Sequence, residues 1–344
     1  MKIAIIGPVV SSKNFGGVAV FDEALLNAFI ESNDDVHIFT REKGEENSRI
    51  NIINSRSRLF DFIRIRKAVK RYNPDLIISS LDYGISVIGY HKGIKIHYLH
   101  GFTSLGYYSK IRFLIMMIID KIYAKDFDYL VSNSSFTKLI NKDIFDTRVD
   151  KVIPIGLEPS FFEVTNIVNR EQKDIDMLFV GRLVEAKHVD LLIKAVGRSS
   201  RKLNVVIIGE GQEAEYLKKL ATTLGVNVNF LGRKNREQLF EYYSRSKVFV
   251  SLNEHEPFGM VYLEALYFSC KIVCPNSGGQ IDIADDFKEF FFTTNIDEIK
   301  KISVSLEKAM DSKFENVDRN KIKKLYSYNR VSDSLKKVVG GLNQ

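Results

Sequence analysis

Met177-Leu178-Phe179-Val180-Gly181-Arg182-Leu183-Val184-Glu185-Ala186-Lys187 is a short apolar run that breaks at a glycine and leads, past two cations, into the helix-like residues 190–196. A buried strand that hands a charged loop to a helix is the repeating unit of a parallel sheet. The unit recurs downstream, with strand candidates at residues 204–208, 227–230, 248–251 and 271–274. An independent series lies upstream, at residues 2–6, 36–39, 76–79, 96–99 and 129–131. Between the two series come Ile153-Pro154-Ile155-Gly156-Leu157-Glu158-Pro159 and a polar, aperiodic stretch over residues 166–176, which reads as a linker. The pattern predicts an α/β protein of two doubly wound, Rossmann-like domains facing a central cleft, with residues 1–165 in the first and 166–325 in the second. Residues 326–344 are expected as a C-terminal helix that packs back on the first domain.

Composition agrees with that division. A chain of 344 residues exceeds the size at which single cores stop growing, about 250 to 300 residues. With 45% hydrophobic and 27% charged residues it falls among ordinary globular proteins and outside the disordered and fibrous classes. Fifty Lys and Arg against 43 Asp and Glu leave +7, which favours acidic partners without choosing among them. No nucleic-acid motif or aromatic platform is recognisable, so nucleic acid is not an expected partner. Cys270 and Cys274 have no His or second Cys pair nearby, which argues against a zinc site and a disulfide framework and for a reducing cytoplasm. Residues 2–6 read as a strand directly after Met1 and lack the charged region, apolar region and cleavage site of a signal peptide, so none is expected, and the longest apolar run, residues 113–119, falls far short of the ~20 residues that span a bilayer.

Three stretches carry chemistry. The first strand runs through Gly7 to Gly16-Gly17 and a helical pattern over residues 18–30. Glycines before a helix let an anion approach its free N–H groups, although a tight turn with no ligand accounts for them equally, and the spacing is not G-x-G-x-x-G. Arg182 and Lys187 join a rigid fork of donors to a mobile point charge, enough to hold the two phosphates of a diphosphate, unless both are simply solvated. The third stretch is Glu254-His255-Glu256-Pro257-Phe258-Gly259-Met260-Val261-Tyr262-Leu263-Glu264-Ala265. Pro257 keeps Glu256 in a loop, the helix starts near Phe258 or Gly259, and Glu264 falls about two turns in, partly buried. A buried carboxylate needs a ligand or a cation.

Taken together these stretches resemble the retaining glycosyltransferases of the GT-B fold, family 4 (glycosyl transferases group 1), over almost the whole chain. Glu256 and Glu264 match the family's E-x7-E motif, and the likeness extends to Gly181-Arg182-Leu183 with Lys187, Ile208-Gly209-Glu210-Gly211, Phe230-Leu231-Gly232-Arg233 and Ser277-Gly278-Gly279. The resemblance implies a hexosyltransferase that moves a sugar from a nucleotide-sugar, a UDP-sugar by preference, to a glycan or polyprenol-linked acceptor in surface polysaccharide biosynthesis. It assigns the first domain to the acceptor and the second to the donor. Arg182 and Lys187 would bind the diphosphate and stabilise its departure. Glu264 would hold ribose hydroxyls, Glu256 would contact the transferred sugar, and the backbone N–H groups of Phe258, Gly259, Met260 and Val261 would reach sugar hydroxyls and the distal phosphate. Gly16 and Gly17 would cover the diphosphate, His100 would lie at the sugar, and Arg233 would read the base through its backbone. No metal and no cofactor are implied. An inactive scaffold or partner subunit on the same fold, or a nucleotide-sugar hydrolase or epimerase, remains as an alternative.

The chain departs from the family at His188, where a glycine usually follows the lysine, and at Gln280-Ile281-Asp282, where a Pro-Glu pair is common. Two basic amphipathic segments, residues 56–71 with seven cations and one acid, and residues 106–125, could lie peripherally on the anionic inner face of the cell membrane. They could equally supply the helices that cover the first sheet.

Overall fold

The computed structural model describes residues 1–10, 16–42, 47–55, 57–102, 110–164 and 172–340. Residues 11–15 of the loop before Gly16, Arg56, Tyr107 and Tyr108 of the two basic segments, and 166–171 of the expected linker lie outside these. Of the rest of that linker, Lys173 is buried and Asp176 is already in a strand.

The chain forms two compact units, Met1–Glu158 with Lys324–Gln344, and Pro159–Lys323. The first is built on seven strands, β1 (Lys2–Ile6), β2 (Asp35–Thr40), β3 (Ile50–Ile52), β4 (Leu76–Ser80), β5 (Ile94–Leu99), β6 (Tyr129–Ser132) and β7 (Lys151–Val152). They pair in the order β3-β2-β1-β4-β5-β6-β7, parallel throughout. Ile3, Ile5 and Ile6 of β1 and Ile77 and Ile78 of β4 are fully buried, as expected of central strands covered on both faces. The covering helices include α1 (Gly17–Glu31), α2 (Arg58–Tyr72) and α3 (Lys110–Asp126). The helix Tyr328–Gly340 packs against α1, where Tyr328 meets the Phe21 ring, and Leu157 bridges Ser327.

The second unit has six strands, β8 (Ile175–Val180), β9 (Val205–Ile208), β10 (Val228–Phe230), β11 (Ser246–Val250), β12 (Lys271–Pro275) and β13 (Phe291–Thr294). Their order is β10-β9-β8-β11-β12-β13, again parallel throughout. All ten strands expected from the sequence are present. The three it did not show, β3, β7 and β13, are short strands at or near sheet edges, with few apolar residues to mark them. In each sheet the connection reverses direction once, between β1 and β4 and between β8 and β11. Loops leaving the carboxyl ends of such a pair diverge and open a crevice in which open α/β sheets bind their ligands.

Candidate active site

In the second unit that crevice is bounded by the loops after β8 and β11. The β8 loop carries Arg182 and Lys187; the β11 loop carries Asn253 and Glu256. Lys187 Nζ donates to Glu256 Oε2 at 2.7 Å, and Asn253 Nδ2 donates to the same oxygen at 3.0 Å. One carboxylate oxygen therefore fixes a mobile lysine, itself half-buried, against the loop. Arg182 is exposed and its guanidinium makes no hydrogen bond or ion pair among the described residues. The site thus offers one paired and one unpaired cation, five positions apart in sequence.

Tight packing sets the loops' course. Leu183 N donates to Glu210 O and Gly181 N to Ile208 O, which ties the β8 loop to the one after β9. A Cβ on Gly209, whose φ is +143°, would stand 1.8 Å from Gly181 O, so only glycine lets these backbones meet. The β10 loop joins through Gly209 N to Gly232 O at 2.9 Å, and beside it Arg233 is exposed with its backbone N–H near Glu210 Oε1.

The helix after β11 runs from Met260 to Tyr267, and Gly259 precedes it at φ +96°. Glu264 thus lies about one turn inside the helix, not two, because the chain stays in the loop through Phe258 and Gly259. Phe258 is buried, Met260 and Val261 lie in the first turn, and Tyr262 OH donates to Ser251 O at 2.8 Å, pinning the helix start to the loop. Glu264 is partly buried and accepts from Tyr243 OH at 2.8 Å. Tyr243 is fully buried; burial first, then the Glu264 charge, pushes its phenol pKa well above the ordinary value, so it stays a donor. Sequence reasoning missed both Asn253 and Tyr243. Asn253 had a signal, an amide at the carboxyl end of a strand three positions before the proline-flanked acid. Tyr243 had none, since it reaches Glu264 from another helix.

His188, the departure from the family's glycine, adopts φ +49° and ψ +40° between the 3-10 turn Glu185–Lys187 and the helix Val189–Val196. The backbone there is left-handed, which explains why glycine suits the position. Gln280, the other departure, is fully buried and donates through Nε2 to Pro275 O at 3.3 Å.

The first unit places Gly7, Ser80 and His100 at its own switch point. His100 follows β5, and its Nε2 lies 3.0 Å from Ser80 Oγ, which lies 2.8 Å from Asp22 Oδ1 on α1. Phe21 meets the imidazole edge-on at 4.7 Å and Tyr98 lies at the same centroid distance. Burial, reinforced by neighbouring His97, lowers the His100 pKa to about 3, so the ring is neutral at physiological pH. Gly16 precedes α1 and accepts from Ala19 N at 3.0 Å. A Cβ on Gly17 would meet nothing within 4 Å, so packing among the described residues does not demand glycine there.

Two parallel α/β units, each with its charged or polar groups at the carboxyl edge, define the class: this is the GT-B glycosyltransferase fold. The structure of a sucrose-phosphate synthase from Thermosynechococcus elongatus is similar, with a TM-score of 0.77 at 18% identity over 99% of this chain and 98% of that one. Residues 161–328, just under half of the chain, match the family model described as glycosyl transferases group 1, and the chain is a glycosyltransferase. A Campylobacter jejuni relative named as a GalNAc-alpha-(1->4)-GalNAc-alpha-(1->3)-diNAcBac-PP-undecaprenol alpha-1,4-N-acetyl-D-galactosaminyltransferase is 28% identical over 261 residues, 73% of this chain and 70% of its own. An Escherichia coli O-antigen biosynthesis glycosyltransferase, WbnH, is 25% identical over 301 residues, 81% of this chain and 83% of its own. A match of higher identity is shorter, 33% over 156 residues and 40% of the relative's length.

Proposed function

We propose that the enzyme transfers a sugar with retention of configuration from a nucleotide-sugar, UDP-linked by preference, to a saccharide or polyprenol-linked acceptor of a surface polysaccharide. The observation that carries this is the Lys187–Glu256 pair beside unpaired Arg182 at the switch point of the second sheet. Arg182 and Lys187 bind the diphosphate, and Glu264, aimed by Tyr243, takes the ribose hydroxyls. Glu256 contacts the transferred sugar together with His100, the N–H groups of residues 258–261 contribute to sugar and phosphate, and Gly17 gives the diphosphate room. Arg233 meets the base through its backbone.

In the transfer, the anomeric carbon–oxygen bond to the diphosphate breaks and the acceptor oxygen bonds to that carbon on the same face. The departing diphosphate oxygen accepts the acceptor's proton. Negative charge grows on the diphosphate, where two cations act without a metal. Full activity in EDTA is therefore expected. The acceptor class finds support in the names of the C. jejuni and E. coli relatives.

The test is incubation with UDP-, GDP- and dTDP-sugars and candidate acceptors, with the anomeric configuration of the product read by NMR. Inversion of configuration, hydrolysis alone, or restoration of chelated enzyme by Mg²⁺ would overturn the corresponding part. A donor at 100 times its Kd is expected to raise stability by about 2.7 kcal/mol.

Membrane contact belongs to the same proposal, and of the two basic segments α3 is the better candidate. Among α2's cations, Arg66 donates to the backbone of Ile88 and Gly89 and Arg58 pairs with Asp82, so these two serve the fold. On α3, Ile111, Leu114, Ile115, Ile118 and Ile122 form an exposed apolar stripe at helical spacing, with Ile111 76% exposed. Lys110, Arg112 and Lys125 on the same helix are exposed and suit anionic headgroups. Among the described residues no helix is long and apolar enough to cross a membrane. Sedimentation with phosphatidylglycerol vesicles is expected to lose most bound protein when Ile111, Ile115 and Ile118 become Ser; unchanged binding would refute α3.

A further inference from the structure

Asp22 is an acid with no cation paired to it among the described residues. It is fully buried on α1, its Oδ2 has no hydrogen-bond partner among the described residues, and a Cβ on Gly7 would stand 1.9 Å from that oxygen. Among the described residues its carboxyl has one hydrogen bond, with Ser80, whose hydroxyl also meets His100. Ser80 has one proton to give. If Asp22 is ionised, that proton goes to Asp22 Oδ1, and His100 Nε2 must carry a hydrogen to complete the chain. If Asp22 is the acid, its own proton serves Ser80, the Ser80 proton turns to His100 Nε2, and the imidazole hydrogen moves to Nδ1.

We infer that Asp22 is a positioning residue for His100: its carboxyl donates from Oδ1 to Ser80, Ser80 donates to His100 Nε2, and His100 is held as the tautomer protonated on Nδ1. The unpartnered Oδ2 assigns the proton to Oδ1, because a hydrogen on Oδ2 would find no acceptor. The acid form also avoids a buried charge without a counter-ion. Charges near the carboxyl reinforce this: after burial, the main effect, Glu23 and Glu42 push its pKa up further, while the Ser80 bond alone opposes them. With Nε2 engaged, Nδ1 is the ring nitrogen left for a ligand, and it meets that ligand as a donor to an oxygen. On the proposed function, on which this use of the ring rests, that oxygen belongs to a hydroxyl of the transferred sugar.

The tautomer can be read without substrate. Long-range proton–nitrogen NMR of histidine-labelled enzyme, with the His100 signals assigned by His100→Gln, is expected to show a protonated Nδ1 and a bare Nε2 at neutral pH. Asp22→Asn, whose amide can donate where the acid did, is expected to keep that pattern. The infrared difference between the two proteins is expected to contain the carbonyl stretch of an un-ionised carboxyl. Ser80→Ala is expected to mix the tautomers and lower kcat about tenfold, the effect of one hydrogen bond. A protonated His100 Nε2 in the unaltered enzyme, or loss of an ionised carboxylate band in Asp22→Asn, would overturn the inference. An Nδ1 proton in the unaltered enzyme, combined with unchanged kcat on His100→Gln, would support the relay and refute the sugar contact.

Discussion

The two sheets share one strand order, apart from the added β7 of the first, and equip their switch points with different electrostatics. At the second, full charges stand close together: Arg182, Lys187 with Glu256, and Glu264 on its Tyr243 hydroxyl. At the first, the Asp22–Ser80–His100 chain is built of groups that burial drives toward neutrality, with His100 at a pKa of about 3 and the Asp22 carboxyl pushed well up. The contrast fits a division of labour. A diphosphate needs cations that do not have to reorganise as charge develops, whereas uncharged sugar hydroxyls need oriented hydrogen bonds in a site that carries no net charge to compete for the phosphates.

Removing a charge from the second switch point is expected to have the largest effect. Arg182→Ala is expected to lower kcat by roughly 100- to 1,000-fold, the usual loss of one preorganised charge-stabilising group, with acceptor KM little changed. A loss below about fivefold in folded protein would break the assignment of charge stabilisation to this edge.

The neutral edge is expected to show itself in the pH dependence of stability. An Asp whose folded pKa is raised binds its proton in the native state when the unfolded chain has released it. The Asp22 contribution to wild-type stability therefore falls as pH rises above the ordinary value of 3.8, until the folded pKa is reached. Asp22→Asn has no such loss. Its stability relative to wild type is expected to climb by up to about 1.4 kcal/mol per pH unit across that window. Denaturant titrations from pH 4 to 7 check the slope, and a difference that stays flat would mean that Asp22 ionises freely. His97, buried against Tyr123 and Phe127 with its pKa lowered to about 3, works in the opposite direction. It contributes stability fully present above the unfolded histidine value and lost as pH falls toward 3. It is common to both proteins and cancels from their difference.

A smaller effect separates Glu264 from the group that aims it. Glu264→Gln is expected to weaken nucleoside-diphosphate binding more than Tyr243→Phe, which leaves the carboxylate in place and removes one bond to it, for about a fivefold rise in Kd. Calorimetry that ranks them in reverse would make Tyr243, not Glu264, the ligand.

The contrast between the edges also explains what the sequence discloses. At the second edge the functional groups sit in contiguous loops: Gly181 through Lys187 is one strand exit and Glu256 through Glu264 another, so spacing alone exposes them. The helix starts one or two residues later than the sequence suggests, at Met260, because Gly259's left-handed backbone delays it. At the first edge Asp22, Ser80 and His100 come from three elements 58 and 20 residues apart and meet only in space. Ser80 is the last residue of an apolar strand, and Asp22 sits in the apolar face of α1, where a charge pattern would have been discounted. The exposed stripe on α3 has the composition of a buried helix and declares itself only once the sheet's covering is seen to leave it bare.

The smallest effect tests His188, a place where the charged edge departs from the glycosyltransferase pattern it resembles. His188 holds a left-handed backbone, φ +49°, immediately after Lys187, and its side chain has no hydrogen bond or ion pair among the described residues. A left-handed L-residue costs about 1 to 2 kcal/mol, while glycine loses roughly 0.5 to 1 kcal/mol of backbone entropy on ordering. His188→Gly is therefore expected to raise stability by about 0.5 to 1 kcal/mol, and a β-branched His188→Val to lower it. Scanning calorimetry reads the shift, and kinetics read its consequence. If the strained turn serves to hold Lys187 on Glu256, relaxing it with glycine loosens that hold, and donor KM rises while the melting temperature does. If both values improve together, the histidine is a tolerated substitution and the lysine is positioned by Glu256 and Asn253 alone. A fall in stability would show instead that packing of the half-buried imidazole outweighs the backbone strain.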